Sequence, residues 1–257
     1  MKIVFGIAYP PERRFGYGQA KQPKLYKSTM KLQKETINKP GLHGRWYGDA
    51  CGTAFGMELL GERWSLLIVR ELMFGPRRFT DIRANLPGIS AKVLTERLAG
   101  LETTGVIVRT NAPEPVPAQL YGLTEWGYAA EPLVQEIGRW AAASPLHDPT
   151  LPLSPASFML SLRTMLDSNV ARDLDVTAVF EIGSARFTAR LERGEMPIQR
   201  GETAAPDLTF SAVSAQPLAA VFYGDMAALD AGVMIEGRRD MVRPFTDCFS
   251  LPAKHSE

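Results

Sequence analysis

Residues 51–109, CGTAFGMELLGERWSLLIVRELMFGPRRFTDIRANLPGISAKVLTERLAGLETTGVIVR, decide how this chain is read. Apolar side chains recur in them at helical spacing, in four short runs. Ala54, Met57 and Leu60 form the first stripe, ended by Gly61. Trp64, Leu67, Ile68 and Leu72 form the second, stopped by Gly75 and Pro76. Phe79, Ile82, Arg83 and Leu86 mark a short third helix bounded by Pro87 and Gly88. Ser90 stands where its hydroxyl accepts a bond from a free N–H in the first turn of a fourth. Val93, Leu94, Leu98 and Leu101 make that helix's buried side, and Lys92, Thr95, Glu96 and Arg97 lie on the other.

Working outward, LPGIS at 86–90 joins the third and fourth helices by a short turn. Such a turn fixes the angle between two helices, so that one braces against a duplex while the next enters its major groove. VIVR at 106–109 and QLYGL at 119–123 then flank a loop containing Pro113, Pro115 and Pro117, as two short strands around a tip. This is the layout of a mainly α winged helix-turn-helix domain, placed at 49–143. The partner such a layout leads one to expect is double-stranded DNA. Arg77 and Arg78, before the third helix, either neutralise phosphates or form a solvated pair. Lys92, Thr95 and Arg97 are candidate DNA contacts, and Ser90 both caps its helix and can donate to a phosphate. Glu96 either accepts from a cytosine amino group or pairs with Lys92 or Arg97. The tip around Glu114 holds neither Lys nor Arg, and residues 49–148 hold nine basic against twelve acidic groups. Few phosphates are therefore neutralised, which implies modest affinity.

These residues resemble the HxlR-type winged-helix regulators. The resemblance rests on Cys51, LLGERW at 59–64, REL at 70–72, FGPRRF at 74–79, LPGIS at 86–90, LTERL at 94–98, Leu101 with Glu102, Gly105, YGLTE at 121–125 and GRW at 138–140. It implies a homodimer on palindromic operator DNA, with dimer contacts from the first and last helices. Trp126, Ala130, Leu133, Ile137 and Trp140 form a stripe on the last helix that suits this, and Pro132 is expected to kink that helix. In some members of the family a cysteine near position 51 senses oxidants or electrophiles. Here Asp49 and Glu58 lie nearby and would raise a thiol pKa, which favours a buried, inert Cys51 over a redox thiol.

The chain's 257 residues suffice for two domains, and its net charge of +1 conceals an asymmetry. Residues 1–48 hold ten Lys or Arg against Glu12 and Glu35, a net of +8, so the remainder carries −7. Seven of the nine lysines also fall there. Two readings fit: a basic, disordered arm that attracts nucleic acid, or a vector-derived or misassigned start with Met30 as the first native residue. The abrupt change in Lys usage favours the second. No run of 18 apolar residues occurs, so no membrane partner is expected, and the start is a poor secretory signal. Cys51 and Cys248 fall in different halves, so a disulfide framework is not expected and a cytoplasmic location is.

Pro145, Pro149, Pro152 and Pro155 mark a linker at 144–153. Ser154 and Pro155 then open a helix lined by Phe158, Leu162 and Met165. Alternation follows in Val176, Ala178, Phe180 and Ile182, and again in Phe187, Ala189 and Leu191, around a tight turn at Gly183 and Ser184. Further strands are expected at 208–212 and 233–236, and helices at 216–223 and 240–249. Residues 154–252 therefore read as an α+β domain, with 253–257 as a tail. This half resembles the sterol-carrier-protein-like fold through AVF at 178–180, FT at 187–188, PDLT at 206–209, FYGD at 222–225 and IEG at 235–237. That resemblance implies an apolar cavity for a lipid-like effector. Phe180, Phe210, Phe222, Met234, Phe245 and Phe249 either line such a cavity or are simply core.

Neither a phosphate loop of the form GxxxxGK[ST], nor HExxH, nor GxSxG occurs, and His43, His147 and His255 all fall in linker or tail. No cofactor, metal site or enzymatic activity is expected. Two functions remain in view. One is a DNA-binding regulator, in the sense of a repressor, tuned by a hydrophobic ligand. The other is a lipid-binding or carrier protein whose winged helix serves as a dimerisation or protein-contact module.

Overall fold

All four helical runs form, with a strand between the second and third that their spacing does not announce. The computed structural model describes residues 47–112, 118–201, 203 and 205–255. The basic segment at 1–46, with Met30 and His43, and the wing tip at 113–117, with Glu114, lie outside the described residues. Helix α1 (Gly52–Leu60) ends where a Cβ on Gly61 would stand 2.4 Å from the Met57 carbonyl oxygen. Helix α2 (Ser65–Leu72) buries Ile68, Val69 and Leu72 completely. Strand β1 (Arg77–Arg78) leads into α3 (Phe79–Ala84), and Leu86 and Ile89 are buried in the turn that follows. Ser90 caps α4 (Ala91–Thr103), accepting from the Val93 N–H at 3.2 Å, and Leu94, Leu98 and Leu101 are buried beneath it.

Strands β2 (Ile107–Asn111) and β3 (Gln119–Leu123) pair antiparallel, and β1 adds to β3 with Arg77 opposite Tyr121. The order β1-β3-β2 completes a winged helix-turn-helix. Thr124 caps the short α5 (Glu125–Tyr128) through the Gly127 N–H. A Cβ at Gly127 would meet the Val106 carbonyl oxygen at 2.1 Å, so only glycine lets this helix pack on the wing. Pro132 does not kink a long helix. It sits in the first turn of a separate helix, α6 (Glu131–Ala142), where the N–H it lacks would have no helical partner.

In the second half, Ser154 caps α7 (Pro155–Met165), and a 3₁₀ turn (Val170–Asp173) leads to the sheet. Strands β4 (Asp175–Ile182) and β5 (Ala185–Glu192) join through Gly183, whose φ is +57°. Then come β6 (Ile198–Arg200), β7 (Leu208–Ala212), α8 (Ala215–Tyr223), α9 (Ala228–Ala231), β8 (Met234–Gly237) and α10 (Arg239–Thr246). The sheet order is β6-β5-β4-β7-β8, antiparallel except for β4 beside β7. This is an α+β layer. Helix α10 ends short of the expected Phe249, although that side chain remains buried.

The two halves touch along a continuous apolar interior within one compact unit. Phe74, in the turn after α2, meets Phe187 of β5 edge-on at 5.6 Å, and the Arg163 guanidinium lies over the Phe74 ring. Glu71 of α2 is 1 % exposed, paired with Arg70 at 2.9 Å, and accepts the Ser154 hydroxyl that caps α7. Arg139 of α6 donates to the Thr164 carbonyl of α7 at 2.7 Å, and Glu131 pairs with Arg163. The expected tail is bound as well. Lys254 donates to the Ala142 and Ser144 carbonyls, satisfying acceptors that the end of α6 leaves open.

Candidate nucleic-acid interface

Helix α4 divides cleanly. Its inner side is sealed, and Lys92, Thr95, Glu96 and Ala99 are exposed at helical spacing on the other. This stripe starts one turn from the Ser90 cap, so side chain and helix N-terminus lie on the same end of the element. A helix start of that kind favours a phosphate oxygen through its free N–H groups and dipole. The Thr95 hydroxyl donates back to the Ala91 carbonyl, which leaves its methyl group and oxygen lone pairs outward. Lys92 and Glu96 have no ion pair among the described residues, so Glu96 is not committed to Lys92 or Arg97.

Arg97 is placed differently from the sequence expectation. It pairs with Glu62, in the turn between α1 and α2, at 3.1 Å, and its side chain is only 19 % exposed. Its charge holds α4 against that turn instead of facing outward with Lys92. Arg77 is likewise drawn in. It stands 3.8 Å from Asp81 and close enough to Arg200 of β6 to repel it. Burial first, and the Arg77 charge second, hold the Arg200 pKa down to about 10, so Arg200 stays charged at neutral pH. Arg78 is exposed and unpaired among the described residues. Sequence reasoning missed Arg83, counted there with the buried stripe of α3 but exposed in the fold beside buried Ile82. Its place one residue after an aliphatic core position was the available signal. On the wing, Arg109 pairs with Glu102 and lies over the Tyr121 ring.

An apolar surface lies on other helices. Trp126, Leu133, Ile137 and Trp140 are 52, 55, 49 and 77 % exposed, and Phe55 and Met57 of α1 are 45 and 49 % exposed. Ala130, from the same expected stripe, is buried.

Cys51 corrects another expectation. It is exposed at the N-cap of α1, where the backbone N–H groups of Ala54 and then Thr53, at the start of the helix, lower its thiol pKa. The Asp49 carboxylate that the sequence brought to mind accepts the Cys51 backbone N–H at 2.9 Å instead. Cys248 is the buried one, its pKa pushed up to about 11 by burial and then by Asp247 and Asp167.

The expected ligand-lining residues of the second half separate into two groups. Phe180, Phe210, Phe222, Phe245 and Phe249 are at most 4 % exposed and pack ring on ring, with centroids 5.2 Å apart for Phe180 and Phe210. They fill the space between sheet and helices with one another. Met234 stands away from them, 62 % exposed on edge strand β8. Among the described residues no cluster of His, Cys, Asp and Glu could hold a metal ion, and no helix is long and apolar enough to cross a membrane.

Comparison with known proteins places this geometry. Residues 59–147 match the family model described as HxlR-like helix-turn-helix. The uncharacterized HTH-type transcriptional regulator YvaP of Bacillus subtilis is 44 % identical over 85 residues, which is 33 % of this chain and 79 % of that protein. The HTH-type transcriptional regulator YodB of the same organism is 45 % identical over 83 residues, 32 % of this chain and 74 % of YodB. The solved reduced form of YodB is 38 % identical, covering 39 % of this chain and all of that one, with a TM-score of 0.35. The match runs from the end of α1 through α6 and stops before α7, taking in the capped helix, the wing and the apolar helix that follows. The chain belongs to the HxlR-like helix-turn-helix family.

Proposed function

We propose that the protein is a DNA-binding transcription regulator, a homodimer that represses by occupying palindromic operator DNA in the cytoplasm. The observation that carries this reading is the outward stripe of Lys92, Thr95 and Glu96 on a capped helix, set behind a tight turn and beside a wing. On this reading Lys92 and Thr95 reach base edges, while Arg78, Arg83 and the Ser90 end of α4 hold phosphates. Arg77 and Arg97 position these elements from behind. The exposed apolar faces of α1, α5 and α6 support a two-fold dimer, because a lone chain would leave Met57, Trp126, Leu133, Ile137 and Trp140 in water. Cys51, exposed beside that face with a lowered pKa, is the thiol through which oxidants would act. The α+β half, with its helices over a mixed sheet, is read as sterol-carrier-like and as the seat of an apolar effector.

A mobility-shift assay with the upstream region of the protein's own gene, at several salt concentrations, tests the reading. A specific complex is expected that weakens steeply with salt. Arg78→Ala should lower affinity and reduce the slope of log K against log salt by about 0.9 per half-site, about 1.8 for the dimer. A carrier protein that uses its winged helix only for contacts would bind no such DNA specifically, and that result would overturn the regulator reading.

A further inference from the structure

A cavity of about 910 Å³ opens where the two halves meet, on the faces of α7 and α8 turned away from the phenylalanine core. Its floor includes Leu160, Ala219 and Ala220, and its walls are Leu66 of α2, Val134 of α6 and Leu151 of the proline-rich connection. The lining is predominantly apolar, and the size falls within the range of roughly 300–1,000 Å³ typical of small-molecule sites. Two features stand out among its polar lining residues. The Oε1 of Gln216 is buried and has no hydrogen-bond partner. The hydroxyls of Ser161 and Tyr223 bond to each other across the floor. A buried acceptor left unpaired costs free energy that a ligand N–H or O–H would recover.

We infer that this cavity binds an uncharged, largely apolar small molecule carrying a hydrogen-bond donor, which is held by Gln216. Charge in the ligand has little to meet there. Arg70 is already committed to Glu71, and His147 and Asp148 are exposed, so water and salt screen them. A second copy of the chain is a poorer occupant, since the apolar side chains of α1 and α6 would leave the Gln216 oxygen orphaned. The ligand would touch α2 and α6 of the DNA-binding half together with α7 and α8, so it would favour one arrangement of the two. On the regulator reading, on which this consequence rests, it alters DNA affinity by its preference between the DNA-competent and incompetent arrangements.

The probe is N-phenyl-1-naphthylamine, a neutral apolar fluorophore with one N–H, titrated into the full-length protein. One saturable site per chain is expected. Gln216→Leu should weaken binding about fivefold, the worth of one net hydrogen bond. Gly138→Leu, at a cavity-lining position where an added Cβ meets nothing within 4 Å, should weaken it tenfold or more by filling space without disturbing the fold. Equal binding by both variants and the parent overturns the assignment. So does affinity that falls as protein concentration rises, which would show a second copy in the cavity. Operator affinity measured with and without saturating probe separates the two readings. Probe binding that responds to both substitutions, in a protein with no specific DNA affinity, keeps the site and sinks the regulator. Specific DNA binding with probe binding indifferent to both substitutions does the reverse.

Discussion

Arg77, Arg78 and Arg97 are the same residue in basic or helical surroundings, yet the fold gives them different tasks. Arg97 faces Glu62, thirty-five positions back, and Arg77 shares a buried corner with Arg200. Asp81, four residues after Arg77, was within reach of a local reading, but nothing near either arginine could reveal Glu62 or Arg200, whereas the Ser90 cap depends only on its own first turn and was legible. The cysteines show the same divide. The carboxylates near Cys51 were visible in the sequence; the helix N–H groups that lower its pKa required the helix start to be placed. Iodoacetamide under native conditions should therefore modify one thiol per chain. Peptide mapping should find it at Cys51, with a rate that levels off below the pH at which an ordinary thiol ionises. Modification of both cysteines at equal rates would contradict this. Cys248 bears on stability instead. Its pKa rises from an ordinary 9.0 to about 11 on folding. The unfolded chain thus releases this proton first, and the associated stability is present below pH 9 and lost as pH climbs through 11. Urea unfolding of the parent should lose about 2–3 kcal/mol more over that window than Cys248→Ala.

Elements whose pattern lies within one segment were readable, and those made by pairing were not. The four helices announce themselves by spacing and by Gly or Pro stops. Strand β1 has two arginines and no alternation, and exists because β3 offers it an edge. Pro132 was read in the middle of one helix because the apolar stripe runs across the break at Ala129 and Ala130. On the proposed reading, helix α6 decides the dimer. Its exposed Leu133, Ile137 and Trp140 predict that Ile137→Asp shifts the protein from dimer to monomer in sedimentation at micromolar concentration. Thermal stability should change little, because Ile137 packs on little within its own chain. An unchanged dimer would remove α6 from the interface.

For the whole molecule, the prolines at 145–155 mark where one half ends, but they do not separate the halves. Phe74 and Glu71 sit in stretches that read locally as a turn and a helix, and both are spent on the junction with the second half. Glu71 joins α2 to the cap of α7, and its removal leaves the half-buried Arg70 and Ser154 without their acceptor. Glu71→Ala should cost about 1–3 kcal/mol by urea unfolding, the usual effect of removing the acceptor of part-buried donors. Phe74→Ala should cost about 3–5 kcal/mol through the cavity it leaves between the halves. Calorimetry of the parent should show one transition for both halves, and a split into two in Phe74→Ala would locate their coupling at this ring. The central claim remains that two α4 helices meet one duplex together, and hydroxyl-radical footprinting of the operator reads this most directly. Two protected segments are predicted on one face of the DNA, centred about 34 Å or a multiple of it apart. Protection should fade at both in Lys92→Ala. A single protected segment, or two that survive that substitution unchanged, would contradict it.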